Sequence, residues 1–259
     1  MSLTTDKQIF DKLRSTIAPM KLTQPVVDMV NENMKDPVKR AALVSSLGLE
    51  QCAFPQFSLN EKTLLAIYPK ADVKALPVLL KFAPIFGIVY KSEMAGFLAN
   101  VLIESQGFKA KQESFAYKPD RLLKVFPGRV KTLDNAKALI AKGPVAIANF
   151  LYGTRNGNRP GTNDGYDHSG KGFIQLTFRS NYVACEQRTG LPIVSNPKLL
   201  LQTDVAMISA MDFWHSNGCN ELSQAIKGNN VTALRKRING GTHALAAVQD
   251  LYIKAMKTL

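Results

Sequence analysis

MAGFLANVLIESQGF, residues 94–108, is the stretch on which the fold turns. Met94, Phe97, Leu98 and Val101 fall at the i, i+3, i+4, i+7 spacing of a buried stripe, which predicts a helix over 92–105. The same register carries Glu104 onto that face. A carboxylate on an apolar stripe is uncommon, because an unpaired buried charge is expensive. Glu104 also falls at the C-terminal end of its helix, where the macrodipole disfavours negative charge. Partial burial and dipole together favour a protonated carboxyl, the form a general acid needs near neutral pH.

Towards the C-terminus, Glu113 lies in a loop sequence, FKAKQESFAY, beyond Gly107 and among Lys109 and Lys111. Neighbouring cations and solvent keep such a carboxylate charged, as a base that activates water must be. Two carboxylates in unlike surroundings are the pair that glycoside hydrolysis uses. Further on, YGTRNGNRPGTNDGYDHSGKG (152–172) has no apolar periodicity and six glycines, which let backbone approach a ligand closely. Tyr152, Arg155, Asn156, Asn158 and Tyr166 offer flat apolar faces and amide or guanidinium donors of the kind sugars favour. KGFIQLTF (171–178) is the best strand candidate, and an extended backbone there puts Gln175 and Thr177 on one side. Other helical patterns fall near 71–87, 133–151, 201–215, 230–238 and 243–258.

Towards the N-terminus, Ser58-Leu-Asn-Glu61 reads as a capping box before Leu64, Leu65 and Ile67. The first 50 residues read as three short helices. One starts at Thr4 or Thr5; one follows Thr23 with Pro25 at an early position; one has Asp36 as cap and Pro37 in its first turn, and stops at Gly48. The stretch CAFPQF separates this unit from the rest. The expected division is 1–55, a three-helix unit, and 56–259, the main domain. The small unit is either an extension packed on the main domain or a cell-wall-binding module.

Hydrophobic residues make up 46% and charged residues 20%, an ordinary soluble composition, and no run approaches the roughly 18 apolar residues of a membrane span. The N-terminus carries acids rather than a basic start and apolar run, so no signal peptide is expected. Cys52, Cys185 and Cys219 are too few and too scattered for a disulfide framework. His168, His215 and His243 form no zinc motif. Net charge is +13, and residues 1–55 carry 7 Lys+Arg against 6 Asp+Glu, so the main domain holds almost all the excess. That field favours a polyanionic partner. The basic residues are dispersed, without a nucleic-acid-binding signature, and nucleic acid is not expected.

The sequence resembles glycoside hydrolase family 19, the chitinase-like enzymes, and within it the phage endolysins. Six blocks carry the resemblance in order: MAGFLANVLIESQGF, ESFAYKPDRLLKVFPGR, YGTRNGN, GKGFIQLTFRSNY, SAMDFWHSNGCNEL and RKRINGG. It implies a mainly α, lysozyme-like catalytic domain with long loops and few short strands. By position it implies Glu104 as general acid, Glu113 as the base that activates water, and Thr177 as the residue that positions that water. Gln175, Asn181 and Asn239 match residues that bind substrate or support the site; Tyr152, Arg155 and Asn156 complete the expected substrate surface. The family inverts, so the two carboxyls are expected roughly 6.5–9.5 Å apart. No metal or organic cofactor is implied.

Three departures stand out. The family's HESGGF reads IESQGF here, with Ile103 and Gln106 replacing His and Gly, which bears on how Glu104 is oriented. An Asp-Arg pair near the C-terminus is replaced by Ala247-Val248, so its charge network must be absent or supplied elsewhere. Residues 1–50 match no wall-binding repeat. The expected activity is hydrolysis of β-1,4 bonds in bacterial peptidoglycan for host lysis, by a monomer. The expected route is accumulation in the host cytoplasm, then release to the wall through a membrane lesion. The basic C-terminal residues Arg235, Lys236, Arg237, Lys254 and Lys257 are expected to draw it to the anionic envelope. Alternatives are a chitinase, a transglycosylase needing only Glu104, a non-catalytic wall-binding protein and a nucleic-acid-binding module.

Overall fold

Thr5, Thr23 and Asp36 cap helices α1 (Asp6–Thr16), α2 (Gln24–Met34) and α3 (Pro37–Ser46) in a computed structural model that describes residues 4–49, 57–109 and 111–259. Each cap oxygen accepts a first-turn N–H that the helix itself cannot satisfy. The inward residues Ile9, Leu13, Val26, Val30 and Leu43 share one core with the rest of the large lobe. Polar bonds fasten the unit too. Lys21 N–H donates to Thr189 O at 2.9 Å. Asn33 Nδ2 donates to Ile85 O at 3.0 Å, and Tyr90 OH donates to Asp36 Oδ2 at 2.8 Å. Cys52 and the separator, apart from buried Phe57, lie outside the described residues.

Helices α4 (Glu61–Ile67), α5 (Leu76–Phe82) and α6 (Lys91–Ser105) follow. The cap of α4 is Asn60 rather than Ser58: Thr63 N–H donates to Asn60 Oδ1 and Asn60 N–H to Thr63 Oγ1. The helix expected over 71–87 is shorter, a 3-10 turn at Val73–Ala75 leading into α5, because Pro84 removes a donor and Gly87 adopts positive φ. Helix α6 differs from its expected stripe in being buried on every side from Glu93 to Leu102, with Ser105 buried as well. It is the central helix of the molecule, mostly apolar round its circumference, and its buried polar side chains Glu93 and Asn100 are hydrogen-bonded. A side chain at Gly96 would meet Ser223 Oγ at 2.9 Å and Leu234 at 3.0 Å, so the neighbouring helices approach it closely.

The chain continues through β1 (Lys111–Gln112), α7 (Pro119–Val125), α8 (Pro127–Val130), α9 (Leu133–Ala141), α10 (Pro144–Tyr152), α11 (Asp164–Asp167) and β2 (Lys171–Gly172). It ends with α12 (Arg179–Thr189), α13 (Thr203–Ser216), α14 (Cys219–Gln224), α15 (Thr232–Asn239) and α16 (Leu245–Thr258). The pattern over 133–151 splits into α9 and α10, because Gly143 takes φ 87° and Pro144 starts a new helix. Phe115, Leu122, Val130, Ala136, Ile147 and Leu151 form a second core, separate from the large one. The mainly α fold expected from the sequence therefore forms as two lobes. The short antiparallel pair β1–β2 lies where the chain passes between them, with Lys111 opposite Gly172.

KGFIQLTF is not an extended strand. Lys171 N–H donates to Leu176 O at 3.2 Å and Leu176 N–H to Lys171 O at 2.9 Å, which closes a tight hairpin. Gly172 and Gln175 take positive φ to turn it. Phe173 points into the large core and packs on Phe108 with ring centroids 5.5 Å apart.

Candidate active site

Glu104 sits in the last turn of α6, which a left-handed cap at Gln106 terminates. Gly107 follows at φ 91°, its N–H donating to Leu102 O at 2.8 Å; a Cβ there would lie 2.5 Å from Lys70 O. Ser105 Oγ donates to Val101 O and accepts Phe108 N–H, so the chain leaves the helix along one fixed path. The Glu104 side chain is 22% exposed, and Arg235 Nη1 of α15 meets its Oε1 at 2.6 Å. Arg235 is itself fully buried, its Nε donating to His243 O at 2.8 Å and its Nη1 reaching Asn100 Oδ1 at 3.4 Å. Asn239, one helical turn beyond Arg235, donates from Nδ2 to the same Glu104 oxygen at 3.3 Å. Both contacts fall on Oε1. Among the described residues Oε2 has no partner.

Glu113 directly follows β1, and its N–H donates to Gly170 O at 2.7 Å. Its side-chain oxygens are held separately: Tyr152 OH donates to Oε1 at 2.7 Å, and Gly170 N–H donates to Oε2 at 3.3 Å. Burial, reinforced by this carboxylate, raises the Tyr152 phenol well above its ordinary value and keeps it a donor. The Gly170 backbone is fixed in turn by Lys171. That ammonium is buried and donates to the carbonyls of Tyr166, Asp167 and Ser169, and burial lowers its pKa to about 8.

Thr177 and Gln175 meet at the same glycine despite the hairpin. A Cβ on Gly170 would lie 3.0 Å from Gln175 Oε1 and 3.3 Å from Thr177 Oγ1. The Thr177 hydroxyl donates to Gln175 O at 2.7 Å, which leaves its lone pairs free to accept from a water. Gln175 Nε2 donates to Lys111 O and Gly172 O, tying the hairpin to β1. Asn181 Nδ2 donates to Thr177 O at 2.8 Å. A cleft of about 480 Å³ runs from Gln175, Thr177 and Asn181 to Asn217 and Ile238, the neighbour of Asn239. Arg155 stacks over Phe178, a wall of that cleft, at 5.0 Å, and Asn156 C=O accepts Ser180 N–H. Asn158 is buried, bridging Tyr152 O and Arg179 N–H, while Tyr166 packs against Phe115 in the small lobe. The structure thus gathers the named residues into two groups. One is Glu104 with Asn239; the other is Glu113 with Tyr152, Thr177, Gln175 and Asn181. Arg155 and Asn156 lie at the loop tip beside the second.

Sequence reasoning missed Arg235, which it counted as an envelope-facing charge. It is the cation on Glu104 and faces no solvent; Lys236, Arg237, Lys254 and Lys257 are exposed. Arg235 also answers the Ala247-Val248 departure: Val248 is buried, and a guanidinium reaches the site from α15 instead. The Gln106 departure is a matter of backbone. The residue is exposed and takes φ 54°, a conformation that glycine adopts without strain.

No family model matches the chain. A glycosyl hydrolase family 19 domain-containing protein of Haemophilus influenzae is 30% identical over 201 residues, covering 77% of this chain and 96% of that protein. An endochitinase of Arabidopsis thaliana is 30% identical over 161 residues, which is 62% of this chain and 43% of the endochitinase. Among solved structures, a chitinase C mutant aligns with a TM-score of 0.50 and 19% identity over 80% of this chain and 79% of its own. A bacterial family 19 chitinase aligns with a TM-score of 0.50 and 19% identity over 77% of this chain and 93% of its own. The two structural likenesses speak for the fold alone.

Proposed function

The chain belongs to glycosyl hydrolase family 19, and from that premise we propose that it cuts the β-1,4 bonds of bacterial peptidoglycan as an endolysin. One observation carries the mechanism: the Glu113 carboxylate and the Thr177 hydroxyl both abut Gly170, while Glu104 is clamped by Arg235 from the large lobe. Glu104 delivers its proton from Oε2 to the leaving glycosidic oxygen. A water that donates to Glu113 and to the Thr177 hydroxyl attacks the anomeric carbon from the other face, and Glu113 takes its proton. The proposed course is inversion, in which the water attacks from between the two carboxylates.

Charge at the cleft supports peptidoglycan over chitin. Arg155 flanks Phe178 on one wall, and Arg237 Nη1 donates to Asn217 O on the other at 2.6 Å. Chitin is neutral, whereas peptidoglycan stems carry carboxylates that such arginines attract. Exposed Lys236, Lys254 and Lys257 extend that field towards an anionic envelope.

The test is clearing of outer-membrane-stripped Gram-negative cells by wild type, Glu104→Gln and Glu113→Gln. Clearing by wild type alone is expected. Activity kept by Glu113→Gln would point to a transglycosylase, and wild-type cleavage of chitin oligosaccharides without clearing would overturn the choice of substrate.

A further inference from the structure

The cleft beside Thr177 ends at Arg188 and Asp212, a bidentate ion pair with both contacts at 2.7 Å. The same pair walls a second hollow of about 490 Å³, where Pro25, Asp28, Met29 and Glu32 of α2 face His215 of α13. Glu32 and His215 in turn belong to a third hollow of about 630 Å³, which follows the seam beside α3 to Glu221 and Gln224. Each hollow shares lining residues with the next, so the three adjoin in a run from the cleft along the N-terminal helices.

That run has a fixed wall. Thr23 Oγ donates to Arg188 O at 2.7 Å, which ties the cap of α2 to the ion pair. Half-buried Lys39 pairs with fully buried Glu93 at 3.6 Å and holds α3. Its lining suits saccharide. Asp28 and Glu32 are exposed and one helical turn apart. Asp28 Oδ1 already accepts from Gln24 Nε2 at 2.8 Å and Glu32 Oε2 pairs with Lys35 at 2.5 Å, which leaves one oxygen of each as an acceptor for sugar hydroxyls and amide N–H groups. Pro25 and Met29 beside them offer apolar surface to a ring face.

We infer that the N-terminal unit extends the glycan groove: a strand bound at Thr177 and Asn181 continues over the Arg188–Asp212 pair onto α2, which holds further sugars of the strand being cut. The inference rests on the glycosidase reading above.

The test compares a peptide-free tetrasaccharide released from peptidoglycan with a strand at least three times as long. Asp28→Ala/Glu32→Ala removes the acceptors, and Asp28→Trp fills the hollow; thermal melting of each full-length variant checks its fold. On the long strand KM rises about tenfold in the double variant, equivalent to about 1.4 kcal/mol, while kcat/KM on the tetrasaccharide is unchanged. Equal long-strand KM in wild type and both variants would overturn the groove. Wild type that hydrolyses neither sugar overturns the glycosidase reading instead. Calorimetry then decides the groove: tighter binding of the long strand, lost in Asp28→Trp, supports it, and length-independent binding rejects it.

Discussion

Glu104→Gln probes the buried cation at the centre of the site. Arg235 is fully enclosed, and its carboxylate partner is Glu104 at 2.6 Å. Unit charges about 4 Å apart attract by about 4 kcal/mol at an effective dielectric near 20. Glu104 is 22% exposed, so solvent screens part of this, and about 2 kcal/mol remains. Glutamine keeps the shape and one acceptor but removes the charge, leaving the guanidinium with only neutral partners, Asn100 and His243 O. In a chain of this size about 2 kcal/mol lowers Tm by roughly 4–8 °C. Glu113→Gln is the control, because the donors there, Tyr152 OH and Gly170 N–H, are neutral. Glutamine keeps one acceptor oxygen there, so one of the two donors loses its partner, at a cost of about 1 kcal/mol, or roughly 2–4 °C. The assay is thermal unfolding by circular dichroism at neutral pH, repeated in an Arg235→Met background, where the Glu104→Gln penalty should vanish. If Glu104→Gln melts with the wild type, Arg235 does not depend on that charge, and the argument that it positions Glu104 fails.

Tyr152→Phe removes one of the two donors to Glu113 and should lower kcat about tenfold with the fold intact, since a hydrogen bond to a charged group contributes about 1.5 kcal/mol; unchanged kcat would free Glu113 from dependence on the phenol. Gln106→Gly relieves a left-handed cap that costs about 1 kcal/mol in a side-chain-bearing residue and should raise Tm by roughly 2–4 °C, read by the same melting assay. A fall in Tm would show that the Gln106 side chain makes a compensating contact. Asp164 is buried, and its hydrogen bonds to Arg159 lower its pKa from 3.8 to about 2. Because the folded value lies below the unfolded one, its contribution is complete above about pH 4 and is lost as pH falls through about 2. Asp164→Asn should therefore flatten the acid limb of a Tm-against-pH profile, and an unaltered limb would remove Asp164 from that role.

Where physics is local, the sequence was legible. Thr5, Thr23 and Asp36 cap the first three helices because each needs only a short polar side chain beside an unsatisfied first turn. Periodicity singled out Glu104, which the structure sets against the buried Arg235, although α6 turned out to be buried all round. The same spacing would have found Arg235. Val231, Leu234, Arg235 and Ile238 repeat the i, i+3, i+4, i+7 pattern, and Val231 and Leu234 are buried beside it. Charge counting hid that residue by treating every lysine and arginine as surface. KGFIQLTF misled for the opposite reason. Its alternation fits a strand, but Lys171 and Leu176 pair across a turn. A Gln175 side-chain bond to β1 and the burial of Phe173 hold that turn in place, and neither of those is written in those eight residues. Helix α12 escaped because Tyr182, Cys185 and Thr189 make a thin, half-polar stripe.

The two carboxylates are positioned by different physics, and this separates the ways the site can fail. Glu104 belongs to the central helix and is fixed by a buried cation on α15, itself packed into the large core. Its position follows the stability of that core. Glu113 belongs to the passage between lobes and is fixed by neutral donors, one on α10 of the small lobe and one on the Gly170 backbone. Its position follows the loop that Lys171 anchors through three carbonyls. In the proposed mechanism, perturbing the large core therefore disturbs protonation of the leaving group first. Perturbing the loop disturbs activation of water first, since Thr177 and Glu113 share Gly170 as their common support. In that mechanism a charge clamps the carboxylate that needs one free oxygen, and neutral donors on both oxygens orient the one that accepts a proton.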